Sequence, residues 1–350
     1  MQQLLTNKQD YNNYLKSLET EPRISIRCNT LKIPPENLKK RLEEKGWKIK
    51  QPYKDYPEIM IIKGKLANNN NDEDDKIIDN INNSQQKDSD ININNFPREG
   101  GGEMDGGVNL IPLAPGELGK SLEHQLGYYY VQEVTSMMPI LALDPRPGER
   151  VLDLCSSPGS KTTQAAMFMQ NKGTIIANEV SLGRIQILAS NLERCGVSNT
   201  IITKKDGIYL GELLNKQEFK FDKILIDAPC SGEGTFRSSP KGMLMWNINT
   251  VKKLSKIQKN LIKSAYKLLK ENGVLIYSTC THAPEENEEI VDFAIKELGM
   301  KVESFKLPLT CRFGITKWQN QEYSKEVKHC CRIYPQDSDS EGFFIAKLKK

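Results

Sequence analysis

Two cysteines stand where strand-like runs give way to short loops. Lys223-Ile224-Leu225-Ile226-Asp227 is an apolar, β-branched run that leads into Ala228-Pro229-Cys230-Ser231-Gly232. Further on, Gly273-Val274-Leu275-Ile276-Tyr277 leads into Ser278-Thr279-Cys280-Thr281. A single cysteine is most often a buried structural side chain. Two at the mouths of successive strands, beside turn-forming and small polar residues, are hard to explain by packing. A thiolate adds readily to carbon. Added to carbon 6 of a cytosine, it converts the ring to an enamine whose carbon 5 can accept an electrophilic methyl group. A base then removes the carbon 5 proton and the thiolate is expelled. Asp227 is placed to hold the ring nitrogen and amino group of such a base. Chemistry alone lets either thiol attack while the other assists release.

A methyl donor needs its own site, and the preceding residues supply a pattern for one. Val151-Leu152-Asp153-Leu154-Cys155 is an apolar strand running into Ser156-Ser157-Pro158-Gly159-Ser160-Lys161, after which Thr162 to Met169 is helix-compatible. A strand, a tight glycine turn and a helix N-terminus bring backbone amides close to a ligand. The glycines of a dinucleotide fingerprint or a phosphate loop are missing. Thr174 to Glu179 is a second strand ending in an acid, suited to ribose hydroxyls. Ile201 to Asp206 is a third, whose acid suits an adenine amino group. One acid at a strand end is usually just solvated; three in succession, with Asp227, point to a nucleoside cofactor.

These runs alternate with helical segments from about Leu118 to the C-terminus, the pattern of a doubly wound, mostly parallel α/β sheet. Ahead of them lies a small α+β module: strands at Arg23–Arg27, Trp47–Ile49 and Glu58–Ile62, and a helix from Pro35 to Lys45. Residues 67–108 break the pattern, opening on Asn68-Asn69-Asn70-Asn71-Asp72-Glu73-Asp74-Asp75 and closing near Gly100-Gly101-Gly102. Such a composition buries too little apolar surface to offset ordering entropy, so a disordered insertion is expected. The expected divisions are a module at 1–66, the insertion at 67–108, its remainder or linker at 109–117, and a catalytic domain at 118–350. The net charge of +4 hides a gradient. Residues 1–65 carry +6, residues 66–108 carry −7 and the remainder carries +5. A basic body suits a polyanionic partner. Met1 to Thr6 shows no leader pattern and no run is long and apolar enough for a membrane, so a cytoplasmic chain with its eight cysteines reduced is expected.

Asp227-Ala228-Pro229-Cys230-Ser231-Gly232, Ser278-Thr279-Cys280-Thr281 and Pro284-Glu285-Glu286-Asn287-Glu288 together resemble the Nop/Sun family of RNA 5-methylcytosine methyltransferases. Ser25 to Lys32, Gln132 to Pro139 and Gly342 to Leu348 also match its pattern, so the resemblance spans the chain outside residues 67–108. The lack of an evident extra domain at either end is most similar to the family's archaeal tRNA enzymes. The resemblance implies a Rossmann-like class I methyltransferase domain with a seven-stranded sheet, behind an RNA-recognition-like module. It implies S-adenosylmethionine as cofactor and RNA as partner, with tRNA expected and rRNA the alternative, and no metal or membrane; a monomer is expected. By the same resemblance Cys280 is the nucleophile, Cys230 promotes release and Asp227 faces both cofactor and base. Cys155, Ser156, Ser157, Pro158, Gly159, Ser160 and Lys161 would line the methionine end of the cofactor, with Glu179 on the ribose, Asp206 by the adenine and Arg184 nearby. Lys161 is left between base and cofactor. Ser160 stands where many members have glycine, and the acidic insertion departs from the pattern; it is expected to project away from the RNA.

Other features carry simpler readings. His329-Cys330-Cys331 lacks the fourth ligand of a zinc site, and structural roles are expected. Glu285, Glu286, Glu288 and Glu289 follow Pro284 and read as first-turn charges on a helix. Tyr128-Tyr129-Tyr130 reads as packing, and the loop around Trp246 as a cover over substrate. A DNA 5-cytosine methyltransferase would use Cys230 for attack and leave Cys280 idle. An amine methyltransferase needs no paired thiols. A non-catalytic RNA-binding scaffold would not need two cysteines, three acids and an intact cofactor loop.

Overall fold

The computed structural model describes residues 1–66, 104–105, 108–111, 113 and 116–350; most of the acidic insertion lies outside them. The strands follow from apolar runs flanked by turn residues. β1 (Ser25–Cys28), β2 (Trp47–Lys50), β3 (Ile59–Leu66), β4 (Met104–Asp105), β5 (Val108–Ile111) and β6 (Tyr129–Val131) form an antiparallel sheet in the order β4-β5-β3-β1-β6, with β2 beside β3. After α1 (Lys8–Ser17), α2 (Pro35–Glu44) begins with proline at its first position, where no amide is needed, and buries Leu38 and Leu42 against this sheet. The sheet reaches past the boundary expected at residue 118, because Ile26 to Cys28 pair with Tyr129 to Val131. Tyr129 and Tyr130 are accordingly buried.

The second sheet is built from β7 (Arg150–Asp153), β8 (Thr174–Asn178), β9 (Thr200–Thr203), β10 (Phe221–Asp227), β11 (Leu269–Thr279), β12 (Lys301–Glu303) and β13 (Arg312–Phe313). After a small ribbon of β14 (Lys317–Trp318) and β15 (Gln321–Glu322), β16 (Cys331–Ile333) and β17 (Phe343–Lys349) complete it. The order is β13-β16-β17-β11-β10-β7-β8-β9, with β12 on β17. Five strands, β11 to β9 in that order, are mutually parallel; the other four join antiparallel. The sheet therefore has nine strands among the described residues rather than seven. The doubly wound α/β class holds, and the extra strands come from the C-terminal segment.

One face is covered by α3 (Val134–Leu143) and α4 (Ser160–Phe168), which bury Met137, Ile140 and Ala166. After α5 (Leu182–Cys195), helices α6 (Gly207–Lys216), α7 (Ile248–Leu268) and α8 (Glu288–Leu298) cover the other, through Leu210, Ile262 and Ile290. The chain winds outward from β7 through β8 to β9, then crosses back to place β10 on the other side of β7. The crevice at the carboxyl ends of β7 and β10 is thus the topological switch point, where such sheets bind ligands. Arg27 of β1 locks the two sheets together there. Its buried guanidinium donates to Gln132, to the Ser160 carbonyl (2.7 Å) and to Thr163 Oγ1 (2.7 Å).

One further expectation needs correction. Cys311 and Cys331 form a disulfide, their Cα atoms 5.1 Å apart because β13 and β16 pair beside them, so not all eight cysteines are free thiols. Glu286 and Glu288 do stand in first turns after Pro284, Glu288 in that of α8, and both are fully buried. Glu288 forms a buried ion pair with Arg332, which also donates to the His282 carbonyl (3.0 Å). Glu285 accepts from Trp318 Nε1 (2.9 Å), and Glu289 pairs with Lys259 (2.7 Å). Among the described residues, no helix is long and apolar enough to cross a membrane.

Candidate active site

At the switch point the chain after β7 turns through Ser156 and Ser157 to Gly159, whose φ of 103° lies in the region that favours glycine. An added Cβ would meet Leu188 Cδ1 at 3.0 Å. This turn starts α4 and opens a cavity of about 230 Å³ lined by Ser136, Asp153, Cys155 to Pro158, Ser160, Lys161 and Asp227. Seven of the residues singled out in the sequence thus share one cavity.

Its floor is charged. Lys161 is 7% exposed, lies 2.8 Å from Asp227 Oδ2 and donates to Ser136 Oγ at 2.8 Å. Ser278 Oγ donates to Asp227 Oδ1 at 2.8 Å. The carboxylate at the end of β10 is therefore fixed by one cation and one hydroxyl. Asp153 is the residue that sequence reasoning missed, although an acid inside the apolar run Val151–Cys155 was a visible signal. Thr162 Oγ1 donates to its Oδ2 at 2.6 Å, while its buried Oδ1 finds no donor among the described residues. Burial pushes its carboxyl up to about 7. Burial likewise raises the Cys155 thiol, which suits a wall rather than a nucleophile.

Glu179 and Asp206 stand at the ends of β8 and β9, outside that cavity lining. Glu179 Oε2 is 3.2 Å from Arg184 Nη1, and its Oε1 accepts from the Ser181 amide. Arg184 Nη2 reaches the Ser157 carbonyl at 2.7 Å, and the Ser157 hydroxyl donates back to the Arg184 carbonyl at 2.9 Å. Asp206 caps α6, its Oδ1 accepting from the amides of Ile208 (2.9 Å) and Tyr209 (3.2 Å).

The parallel pairing of β10 with β11 puts Asp227 beside Ser278 and so carries the two cysteine loops to the same edge. Cys230 Sγ and Cys280 Sγ are 3.2 Å apart. The hydrogen bond with Cys280, and burial, hold the Cys230 thiol well above its ordinary range. Either sulfur can donate in this contact. Both loops are clamped from below. Glu286 Oε2 accepts from the Ser231 amide (3.2 Å) and from Gln258 Nε2 (2.8 Å), which also donates to the Pro229 carbonyl (2.9 Å). Thr279 Oγ1 donates to Asn287 Oδ1 (2.6 Å), and Asn287 Nδ2 returns a bond to the Thr281 carbonyl (2.9 Å). Burial raises the Glu286 carboxyl. Two thiols in contact, a fixed carboxylate and a neighbouring cavity with an unsatisfied acid thus meet at one edge of the sheet.

Comparison with known proteins gives the family. The family model described as 16S rRNA methyltransferase RsmB/F matches residues 140–349. A tRNA (cytosine(49)-C(5))-methyltransferase from Pyrococcus abyssi is 47% identical over 232 residues, 66% of this chain and 73% of the relative. A ribosomal RNA small subunit methyltransferase F from Aliivibrio salmonicida is 47% identical over 236 residues, 67% of this chain. The match takes in 48% of that relative, about half its length. The crystal structure of NSun6 from Pyrococcus horikoshii with SFG superposes with a TM-score of 0.73 at 27% identity, covering 99% of this chain and 96% of that one.

Proposed function

The chain belongs to the RsmB/F (Nop/Sun) methyltransferase family, and we propose that it methylates carbon 5 of a cytosine in RNA, with tRNA as substrate. The observation that carries the reaction is the pair of sulfurs 3.2 Å apart beside the cavity that Asp227 lines. S-adenosylmethionine supplies an electrophilic methyl group on a sulfonium. The chain fits it: Gly159 leaves room at the turn, and the unpartnered Asp153 Oδ1 and the Cys155–Lys161 loop suit its amino-acid end. Glu179 and Asp206 extend the site along the strand ends toward ribose and adenine.

Cys280 attacks carbon 6 as its thiolate, forming a sulfur–carbon bond while the carbon 5–carbon 6 π electrons move to the ring. Asp227, held by Lys161 and Ser278, accepts from the cytosine amino group and fixes the ring over the methyl donor. S-adenosylmethionine, held by the Cys155–Lys161 loop, would supply the methyl group that carbon 5 takes up and would leave as the neutral thioether. A solvent water takes the carbon 5 proton, and the electron pair of that carbon–hydrogen bond restores the ring double bond as the Cys280 sulfur leaves as a thiolate. Cys230, protonated and in contact with Cys280, is placed to donate its proton to the departing thiolate. A base in this pocket must leave its stack, which favours unpaired RNA sites.

The test is a pair of substitutions. Cys280→Ala lowers methyl transfer by about 10⁴-fold or more and forms no covalent RNA adduct. Cys230→Ala accumulates an RNA–protein adduct that survives denaturation. The reverse outcome would assign attack to Cys230. Support for tRNA is the archaeal relative, of which the match covers 73%, against about half of the rRNA enzyme. The description of the matching family model favours 16S rRNA as the second reading. Bisulfite sequencing of RNA from cells lacking the protein separates them: loss of methylation confined to 16S rRNA would replace tRNA by rRNA.

A further inference from the structure

From residue 234 to residue 270 the chain has nine lysines and arginines and no acid. Arg237, Lys259 and Lys270 are satisfied by Asp339, Glu289 and Asp222. Lys252, Lys253 and Lys256 are exposed on the first turns of α7 and form no ion pair among the described residues. With Lys263 further along, Lys252 and Lys256 share one side of the helix at spacings of four and seven residues, so neighbouring charges follow one another at about 6–10 Å. The opposite side of α7 is buried, and Gln258 on it holds the Pro229 carbonyl beside Cys230. Immediately before α7, Leu244 (87% exposed) and Met245 (80%) stand in solvent and Trp246 is 42% exposed. Earlier in the chain, Glu233 accepts from Thr281 Oγ1 at 3.3 Å, one residue after Cys280.

We propose that this face binds the substrate RNA, a nucleotide flanking the target stacking on Trp246 while the adjoining phosphates run along Lys252, Lys253 and Lys256. The proposal rests on the reading of the enzyme as an RNA methyltransferase and adds the path of the strand. Charge argues for a polyanion, and the short step between lysines suits successive phosphates of one strand. An aromatic face next to a basic track is the pairing that holds unpaired nucleic acid without reading its sequence. The helix that follows Trp246 holds the Pro229 carbonyl beside Cys230 through Gln258, which puts the basic track next to the cysteine loop and favours a nucleotide strand over an anionic lipid surface.

The experiment compares the full-length wild type, the triple variant Lys252→Gln/Lys253→Gln/Lys256→Gln, and Trp246→Ala. Affinity for a fluorescein-labelled single-stranded 12-mer RNA is read by anisotropy at several salt concentrations, alongside thermal melting, S-adenosylmethionine affinity and methyl transfer to total tRNA. The triple variant is expected to bind the RNA at least tenfold more weakly, with a log Kd against log salt slope shallower by about 2, from roughly 0.7 per phosphate contact. Trp246→Ala is expected to weaken binding about tenfold with its salt slope unchanged. Melting and cofactor affinity stay at wild-type values in both. RNA affinity and salt slope unchanged in the triple variant would overturn the surface, as would lysine-dependent sedimentation with vesicles of phosphatidylcholine and phosphatidylglycerol while RNA binding stays intact. No transfer to RNA by the wild type would overturn the functional reading, and the surface with it.

Discussion

The cofactor side and the thiol side of this site are built by different means. On the cofactor side, each part follows the strand that precedes it: a turn at Gly159 after β7, Glu179 after β8, Asp206 after β9. Contacts there are largely local, such as Thr162 to Asp153 and Ile208 to Asp206. On the thiol side, residues 50 apart in sequence meet, and a buried carboxylate 55 residues from Ser231 holds the loop. A binding site can be assembled turn by turn from sequence neighbours. Two sulfurs brought into contact from such distant positions require long-range restraint, and Glu286 provides it.

The largest effect should come from breaking that restraint. Glu286→Ala leaves the Ser231 amide and the Gln258 amide nitrogen without their acceptor, a cost of about 1–3 kcal/mol for buried donors. The expected result is a fall in kcat of about 10²-fold with S-adenosylmethionine affinity unchanged, because the cofactor loop lies on the other side of the site. Glu286→Gln keeps one acceptor oxygen and should recover much of the activity. If both substitutions lowered cofactor affinity as much as kcat, the two sides would not be separately supported.

A medium effect tests the cofactor side through pH. Asp153 titrates at about 7 in the folded protein because burial disfavours its charge. A carboxyl raised in this way stabilises the free protein below its ordinary range, and that contribution is lost as pH rises toward about 7. Binding a cationic amino group requires the ionised form. S-adenosylmethionine affinity should therefore weaken as pH falls below about 7, by up to tenfold per unit. Asp153→Asn should flatten that dependence and weaken binding at pH 8 by about tenfold, the low end for a hydrogen bond to a charged group. A wild-type Kd that does not vary between pH 5.5 and 8 would remove Asp153 from the ligand's path.

The two sides also differed in how far they could be read from sequence. The strands of the parallel sheet and the cofactor turn were legible because their signals are local: apolar runs, a glycine, an acid at the end. Cys230 and Cys280 stood out for the same reason, at the ends of two such runs. Glu286 and Glu288 were legible as first-turn charges but their buried partners were not, because a carboxylate after a helix-starting proline looks the same whether it meets water or a buried partner. Their partners, Ser231, Gln258 and Arg332, are distant in sequence. Asp153 was passed over because its neighbours made the run look like core alone. The antiparallel strands were missed because β12, β13 and β16 are two or three residues long, too short to show a period.

The smallest effect concerns Asp206, where local structure and ligand binding compete for one side chain. Its Oδ1 caps α6, and the proposal gives the same carboxylate the adenine amino group. Asp206→Ala loses both, at about 1 kcal/mol of stability for the cap. Asp206→Asn is the sharper variant, since asparagine caps about as well as aspartate and stability should stay within about 0.5 kcal/mol. It keeps an acceptor but loses the charge, so S-adenosylmethionine affinity should fall a few-fold while melting is unchanged. Should affinity in Asp206→Asn equal that of wild type, and fall in Asp206→Ala only as far as melting does, Asp206 would be a helix cap alone. The cofactor side would then end at Glu179, where the turn-by-turn construction still leaves Arg184 bridging that carboxylate to the Ser157 carbonyl.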